Sequence, residues 1–159
     1  MKKVLIYPNE ILNVKSKKIA KIDPKIKYIV KNMFNIMYEK EGIGLAAIQI
    51  GINLRVMTID INSSKNKFIA LINPEIINFH GLESGYEACL SFPGVYLKIT
   101  RFSYIKVEYF NEFGFKCYVE AKRILSRCIQ HELDHLNGLT IFDHISVLKK
   151  KRMLNKICV

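Results

Sequence analysis

This chain of 159 residues has no tryptophan, only four cysteines and four prolines, and far fewer acidic than basic side chains, 14 against 25. Each scarcity excludes something. The cysteines, at 89, 117, 128 and 158, form no C-x-x-C pair and no regular spacing, which argues against a disulfide framework and for a reduced, cytoplasmic setting. No signal-peptide pattern precedes the first foldable segment, Val4-Leu5-Ile6-Tyr7-Pro8. No uncharged run approaches a membrane span, because Gln49, Asn53 and Arg55 break the longest apolar stretches. No repeat, low-complexity tract or Pro/Gly-rich linker marks a boundary, so residues 1–159 read as one domain with an ordinary core. The surplus of bases gives a formal net charge of +11, which favours acidic surfaces or nucleic acid. No recognition module with interleaved aromatics accompanies it, so most of the lysines read as solvated.

What is present is a patterned chain, half of it hydrophobic. Asp23-Pro24 reads as an N-cap followed by proline in a first helical turn. From there Ile26, Ile29, Val30, Met33, Phe34, Met37 and Tyr38 recur at helical spacing, and Gly42 suits a stop, which predicts a helix over 24–41. Runs rich in Ile, Val, Phe and Tyr predict strands near 55–61, 68–73, 75–79, 103–110 and 115–121, the last two joined by a hairpin at Asn111-Glu112-Phe113-Gly114. A second helix is expected over 122–136 with Asn137-Gly138 as its stop, and a last amphipathic stretch over 146–157. The order of elements predicts an α+β fold: antiparallel β-sheets packed around a central helix, with N-terminal and C-terminal helices.

That central helix carries Gln130-His131-Glu132-Leu133-Asp134-His135. Two imidazoles four residues apart share one helical face and reach one metal ion, with Glu132 beside them as a proton acceptor. A catalytic site needs a third protein ligand and an open position for water. The metzincin completion fails because Ile141 stands where a third histidine belongs, and no glutamate follows Glu132 to complete a thermolysin-type site. Asp143, His144 or an upstream residue remain. Cys128 shares the face of His131 but lies about 10 Å from His135, too far for metal–sulfur bonds of about 2.3 Å, and reads as a small apolar residue lining the site. Cys117 and Cys158 read as inert. Cys89 lies in Glu87-Ala88-Cys89-Leu90-Ser91-Phe92-Pro93-Gly94, expected to be an irregular segment, where a ligating thiol is plausible.

Three segments, Gly42-Ile43-Gly44-Leu45-Ala46-Ala47-Ile48-Gln49, Glu87-Ala88-Cys89-Leu90-Ser91 and the histidine pair, resemble in order and spacing the three signature motifs of peptide deformylases. The resemblance covers almost the whole chain. It implies a metal-dependent hydrolase that removes the N-formyl group from the initiator methionine of new polypeptides and releases formate. It implies Cys89, His131 and His135 as ligands of one divalent ion, Fe2+ first and Zn2+ or Ni2+ as substitutes, with water in the fourth position and Glu132 as general base. By the same resemblance the Gln49 amide and the Leu90 N–H receive charge on the formyl oxygen, and Glu87 pairs with Arg101. Ile43, Ile124, Leu125 and Cys128 near the motifs offer an apolar slot for the methionine side chain, and Gly44 room for the substrate backbone. The chain departs from the family at Ala88, where glycine is usual, and at Ile48, where many members have proline. Alanine at 88 costs affinity or activity if that position needs a positive φ or a very close approach by substrate. The basic run Lys149-Lys150-Lys151-Arg152 offers a docking face for ribosomal RNA. A small metalloprotease acting on internal peptide bonds is the alternative enzyme.

Overall fold

The computed structural model describes residues 3–61 and 68–157, so Cys158 lies outside the described residues. Five antiparallel strands cross one sheet in chain order: β1 (Gly44–Ala46), β2 (Val56–Ile59), β3 (Ile69–Cys89), β4 (Phe92–Phe110) and β5 (Lys116–Lys122). Three helices flank it: α1 (Pro24–Glu39), α2 (Arg123–Leu136) and α3 (Val147–Ile157). This is the expected α+β fold, with the strands joined in one continuous sheet.

α1 begins, and both main helices end, for local reasons. The Asp23 carboxylate accepts the Ile26 N–H at 3.0 Å ahead of Pro24, a cap worth about 1 kcal/mol. At the other end Glu41, and not Gly42, takes the left-handed conformation (φ 53°). The Glu41 and Gly42 N–H groups then close on the Tyr38 and Met37 carbonyls at 3.1 and 2.9 Å. α2 stops in the same way at Gly138 (φ 76°), with the Leu139 N–H on the Asp134 carbonyl at 2.8 Å. Here glycine is needed twice over, because a Cβ would also stand 2.6 Å from the Asn13 carbonyl oxygen.

The period of two along each strand splits the core between two faces. Leu45, Val56, Ala70 and Ile72 pack against Ile26, Ile29, Val30, Met33 and Met37 of α1. Their neighbours Ala46, Met57, Ile59 and Leu71, with Ile105, Val107 and Ala121, pack against Cys128, Ile129, Leu133 and Leu136 of α2. α2 is thus a buried helix, held further by the Gln130 amide. That amide accepts the Phe102 N–H at 3.0 Å and donates to the Phe102 carbonyl at 2.8 Å.

The largest difference from the sequence expectation is the β3–β4 hairpin. The runs at 75–79 and 103–110 are parts of two long strands, and the segment around Cys89, expected to be irregular, continues both of them. Cys89 pairs with Phe92, leaving Leu90 and Ser91 as the connection. Along β4, Val95, Leu97, Ile99, Arg101, Ile105, Val107 and Tyr109 are buried, all at odd positions, while the residues between them are exposed or half-buried. The exposed face carries Leu82, Tyr86 and Tyr96, which hides this alternation in the sequence. The hairpin's outer half closes a third cluster with Ile141 and Phe142, against which Met153 and Leu154 of α3 pack. Among the described residues, no helix is long and apolar enough to cross a membrane.

Candidate metal centre

The turn of the β3–β4 hairpin meets α2 where the two histidines project. The ligating atoms of Cys89, His131 and His135 lie within 4.8 Å of one another, all three residues buried. Cys89 Sγ is 3.1 Å from His135 Nε2, and the two imidazole rings stand nearly perpendicular, 5.0 Å apart. The downstream alternatives lie elsewhere. Asp143 accepts the Thr140 N–H at 2.7 Å, and His144 Nε2 sits 2.6 Å from Asp134 Oδ2.

Glu87 organises the ligands from behind. Its Oε2 lies 2.9 Å from His131 Nδ1, which leaves His131 Nε2 for the metal side. The same carboxylate accepts from Arg101 Nε (2.8 Å) and Nη2 (2.9 Å) and from Arg127 Nη1 (2.9 Å). Burial opposes ionisation of Glu87, but the hydrogen bonds from Arg101 and His131 and their charges win, holding the carboxyl well below the usual carboxylate range. Arg101 goes on to Asp134 at 2.6 Å, while Arg127 donates to the Ile99 and Glu83 carbonyls at 2.9 and 2.8 Å. The Glu87–Arg101 pair was expected; Arg127, Asp134 and the direct contact with His131 were not. The signal for Arg127 was available, since it precedes His131 by four residues and so shares its face.

Glu132 is buried against the triad, and its Oε2 has no hydrogen-bond partner among the described residues. Burial first, then the charges of Glu87 and Asp134, push its pKa up to about 7 against the opposing effect of His131. Gly44 makes room for this carboxylate. A Cβ there would stand 2.5 Å from Glu132 Oε1 and 2.8 Å from Cys128 Sγ, so the residue expected to admit substrate also leaves room for this side chain. Gln49 is buried, and its Oε1 accepts the Ala46 N–H at 2.9 Å. That contact turns Nε2 toward Ser91 Oγ (3.2 Å) and Cys89 Sγ (3.5 Å), at the edge of the triad.

The residues suit a divalent metal on three observations. One sulfur and two imidazole nitrogens form the donor set of a borderline-soft ion. Burial, with the charges of His131 and Arg101, lowers the His135 pKa far below its ordinary value, leaving a neutral ligand. His131 is driven the other way: burial would lower its pKa, but Cys89 and Glu87 raise it well above the usual value, so the cluster favours a positive charge at this point. Cys128 is no fourth ligand. Burial, then the charges of Glu132 and Glu87, push its thiol pKa well up, and its Sγ lies 3.6 Å from the Ile43 carbonyl.

A cleft of about 460 Å³ opens onto the triad. Ile43, Gly44, Gln49, Leu90, Ile124, Cys128 and Glu132 line it, whereas Leu125 does not and packs against the core between α2 and the sheet. Ala88 also lines the cleft; it is extended, without the positive φ that would have demanded glycine.

A buried thiol and two imidazoles at the meeting of a hairpin and a helix, with a buried carboxylate beside them at the cleft, define a metal-dependent hydrolase of α+β architecture. The family model for polypeptide deformylase matches residues 1–151. The peptide deformylase of Pseudoalteromonas translucida (strain TAC 125) is 40% identical over 154 residues, 97% of this chain and 92% of that protein. That of Buchnera aphidicola subsp. Schizaphis graminum is 44% identical over 155 residues, 98% of this chain and 93% of that protein. The crystal structure of a peptide deformylase from Legionella pneumophila matches with a TM-score of 0.93 at 37% identity, covering 99% of this chain and 95% of that one. The chain belongs to the polypeptide deformylase family, metal-dependent hydrolases that remove formyl groups.

Proposed function

We propose that this protein deformylates the initiator methionine of newly made polypeptides in the cytoplasm. In this reading Cys89, His131 and His135 hold one ferrous ion, which zinc or nickel can replace. The observation that carries it is the meeting of this donor set with Glu132, a buried carboxylate whose Oε2 faces no other partner among the described residues. A divalent ion at the triad supplies Lewis-acid chemistry, making a water acidic enough to act as nucleophile near neutral pH.

The chain's own residues do the rest. Glu132 accepts the water proton and delivers it to the leaving amine, a shuttle suited to a carboxyl whose pKa burial has raised to about 7. Glu132 would be held in its ionised, proton-accepting form by positive charge at the neighbouring triad. The Gln49 amide, fixed by Ala46, and the Leu90 N–H at the hairpin connection donate to the formyl oxygen as negative charge develops there. One such donor is worth about 3–4 kcal/mol. Ile43, Ile124 and Cys128 give the methionine side chain an apolar wall.

Release of formate from formyl-Met-Ala-Ser, compared with the unformylated peptide, tests the reaction. Glu132→Ala is expected to keep its metal and lose roughly 10²–10⁴-fold in turnover. Turnover near wild type in that variant would remove Glu132 from the mechanism, and cleavage of the unformylated peptide would favour a protease. On α3, Lys149, Lys151 and Arg152 are exposed and Lys150 half-buried, a face for salt-sensitive contact with ribosomal RNA where formylated chains emerge. Ribosome co-sedimentation unchanged after replacing these four residues would argue against that contact.

A further inference from the structure

His144, a candidate third ligand by sequence, stands outside the triad, yet a chain of side chains connects it to His131. Its Nε2 lies 2.6 Å from Asp134 Oδ2, and Arg101 Nη1 lies 2.6 Å from the same oxygen. A carboxylate offers only lone pairs, so both nitrogens donate to it, 3.4 Å from each other. Arg101 gives its other two donors, Nε and Nη2, to the two oxygens of Glu87 at 2.8 and 2.9 Å. Glu87 Oε2 completes the path at His131 Nδ1, 2.9 Å away. The side chains become steadily less exposed along it: His144 28%, Asp134 17%, Arg101 5% and Glu87 2%.

The outer end of this path is a fixed point. His144 closes a single 3-10 turn, Ile141–His144, whose Ile141 and Phe142 are buried in the third core cluster. Asp143 locks the start of the turn, accepting from the Thr140 N–H at 2.7 Å and from its hydroxyl at 2.8 Å. Asp134 is less constrained, since it lines a cavity of about 700 Å³ that shares no lining residue with the substrate cleft. An aspartate open to solvent on one side readily turns away from a single partner. Two donors on one oxygen, one from β4 and one from the packed turn, hold that oxygen toward Arg101. The alignment matters at the far end. Arg127 donates to Glu87 Oε1, whereas Oε2, the oxygen that meets His131, accepts from Arg101 Nη2. The guanidinium plane therefore sets where that oxygen stands, and the oxygen sets the His131 ring.

We propose that His144 is a positioning residue for the metal centre, fixing the orientation of the His131 ring through Asp134, Arg101 and Glu87. This rests on the reading of Cys89, His131 and His135 as metal ligands and is independent of the substrate.

The test uses the full-length protein, stripped of metal by a chelator and titrated with zinc against a chromophoric competitor. His144→Ala should weaken zinc binding about 3–10-fold, less than the roughly 10–100-fold typical of removing a direct partner of a ligating histidine. His144→Gln, which offers an N–H donor at similar reach, should restore most of the affinity. With cobalt in place of zinc, the visible absorption bands report ligand geometry; they should shift in His144→Ala and return in His144→Gln. Asp134→Ala should weaken zinc binding at least as much, and adding His144→Ala to it should change nothing further, because the path is already cut. In formyl-Met-Ala-Ser turnover, kcat should fall in His144→Ala with KM unchanged, since His144, Asp134 and Arg101 lie outside the cleft. Wild-type affinity and an unshifted cobalt spectrum in His144→Ala would overturn the proposal. So would a glutamine variant no better than the alanine one, or additive losses in the double variant. Failure of the wild-type chain to bind zinc at all would instead overturn the metal centre itself.

Discussion

Gly44 has no side chain, yet it decides how the Glu132 carboxylate is held. Because a Cβ would stand 2.5 Å from Glu132 Oε1, Gly44→Ala must move the carboxylate or the strand. A displacement of about 1 Å costs roughly 10²-fold in turnover, so kcat should fall by that order while metal content, measured by elemental analysis, stays at wild-type level. Equal loss of metal and activity would place the role of Gly44 in folding instead. At this scale the sequence disclosed the groups whose spacing is periodic. His131, Glu132 and His135 announce themselves by the helical repeat, whereas Cys89 depended on the family motif because strand and helix meet only in space. Arg127 escaped because one half-buried arginine looks like any other base in a chain rich in them, and its four-residue offset from His131 gains meaning only once Glu87 is placed opposite.

Among the elements, Glu87 is the junction: it stands on β3 and holds Arg101 of β4 together with Arg127 and His131 of α2. Its folded-state pKa is depressed relative to an unfolded value of about 4.3, so its contribution to stability is complete above that pH and lost as pH falls through the folded value. Thermal melts of the metal-free protein between about pH 2 and pH 7 should therefore show stability falling below about pH 4. Glu87→Gln, already less stable at neutral pH, should show a flatter acid limb; an identical slope in both proteins would rule out this linkage. The helices were readable because Asp23-Pro24 and Asn137-Gly138 punctuate strong periodic stretches. The outer halves of β3 and β4 were not, since Gly81, Gly85, Pro93 and Gly94 interrupt them and aromatic residues occupy the exposed face as well as the buried one.

For the whole molecule, ligands drawn from the hairpin and from α2 make a bound ion a link between separately packed clusters. A ligand that binds only the folded chain stabilises it by about 2.7 kcal/mol at about 100 times its Kd. For a chain of this size that raises Tm by roughly 5–10 °C, so chelation should lower the melting temperature by this amount and ferrous or zinc ions restore it. Cys89→Ala should melt at the same temperature with or without metal; a metal-dependent rise in that variant would show that the ion binds elsewhere. The odd-position burial along β4 from Val95 to Tyr109, interrupted only at half-buried Ser103, has a different consequence, one for the history of the gene. A single codon gained or lost near Ser103 would reverse every side chain beyond it, turning Val95, Leu97, Ile99 and Arg101 outward and Tyr96 and Lys98 inward. Changes of length are therefore expected in the connections, such as Asn111-Glu112-Phe113-Gly114, in compensating pairs on both strands, or as bulges like those β3 already carries between Ile72 and Glu75 and between Ile76 and Asn78. The hairpin holds its cysteine in place by counting residues.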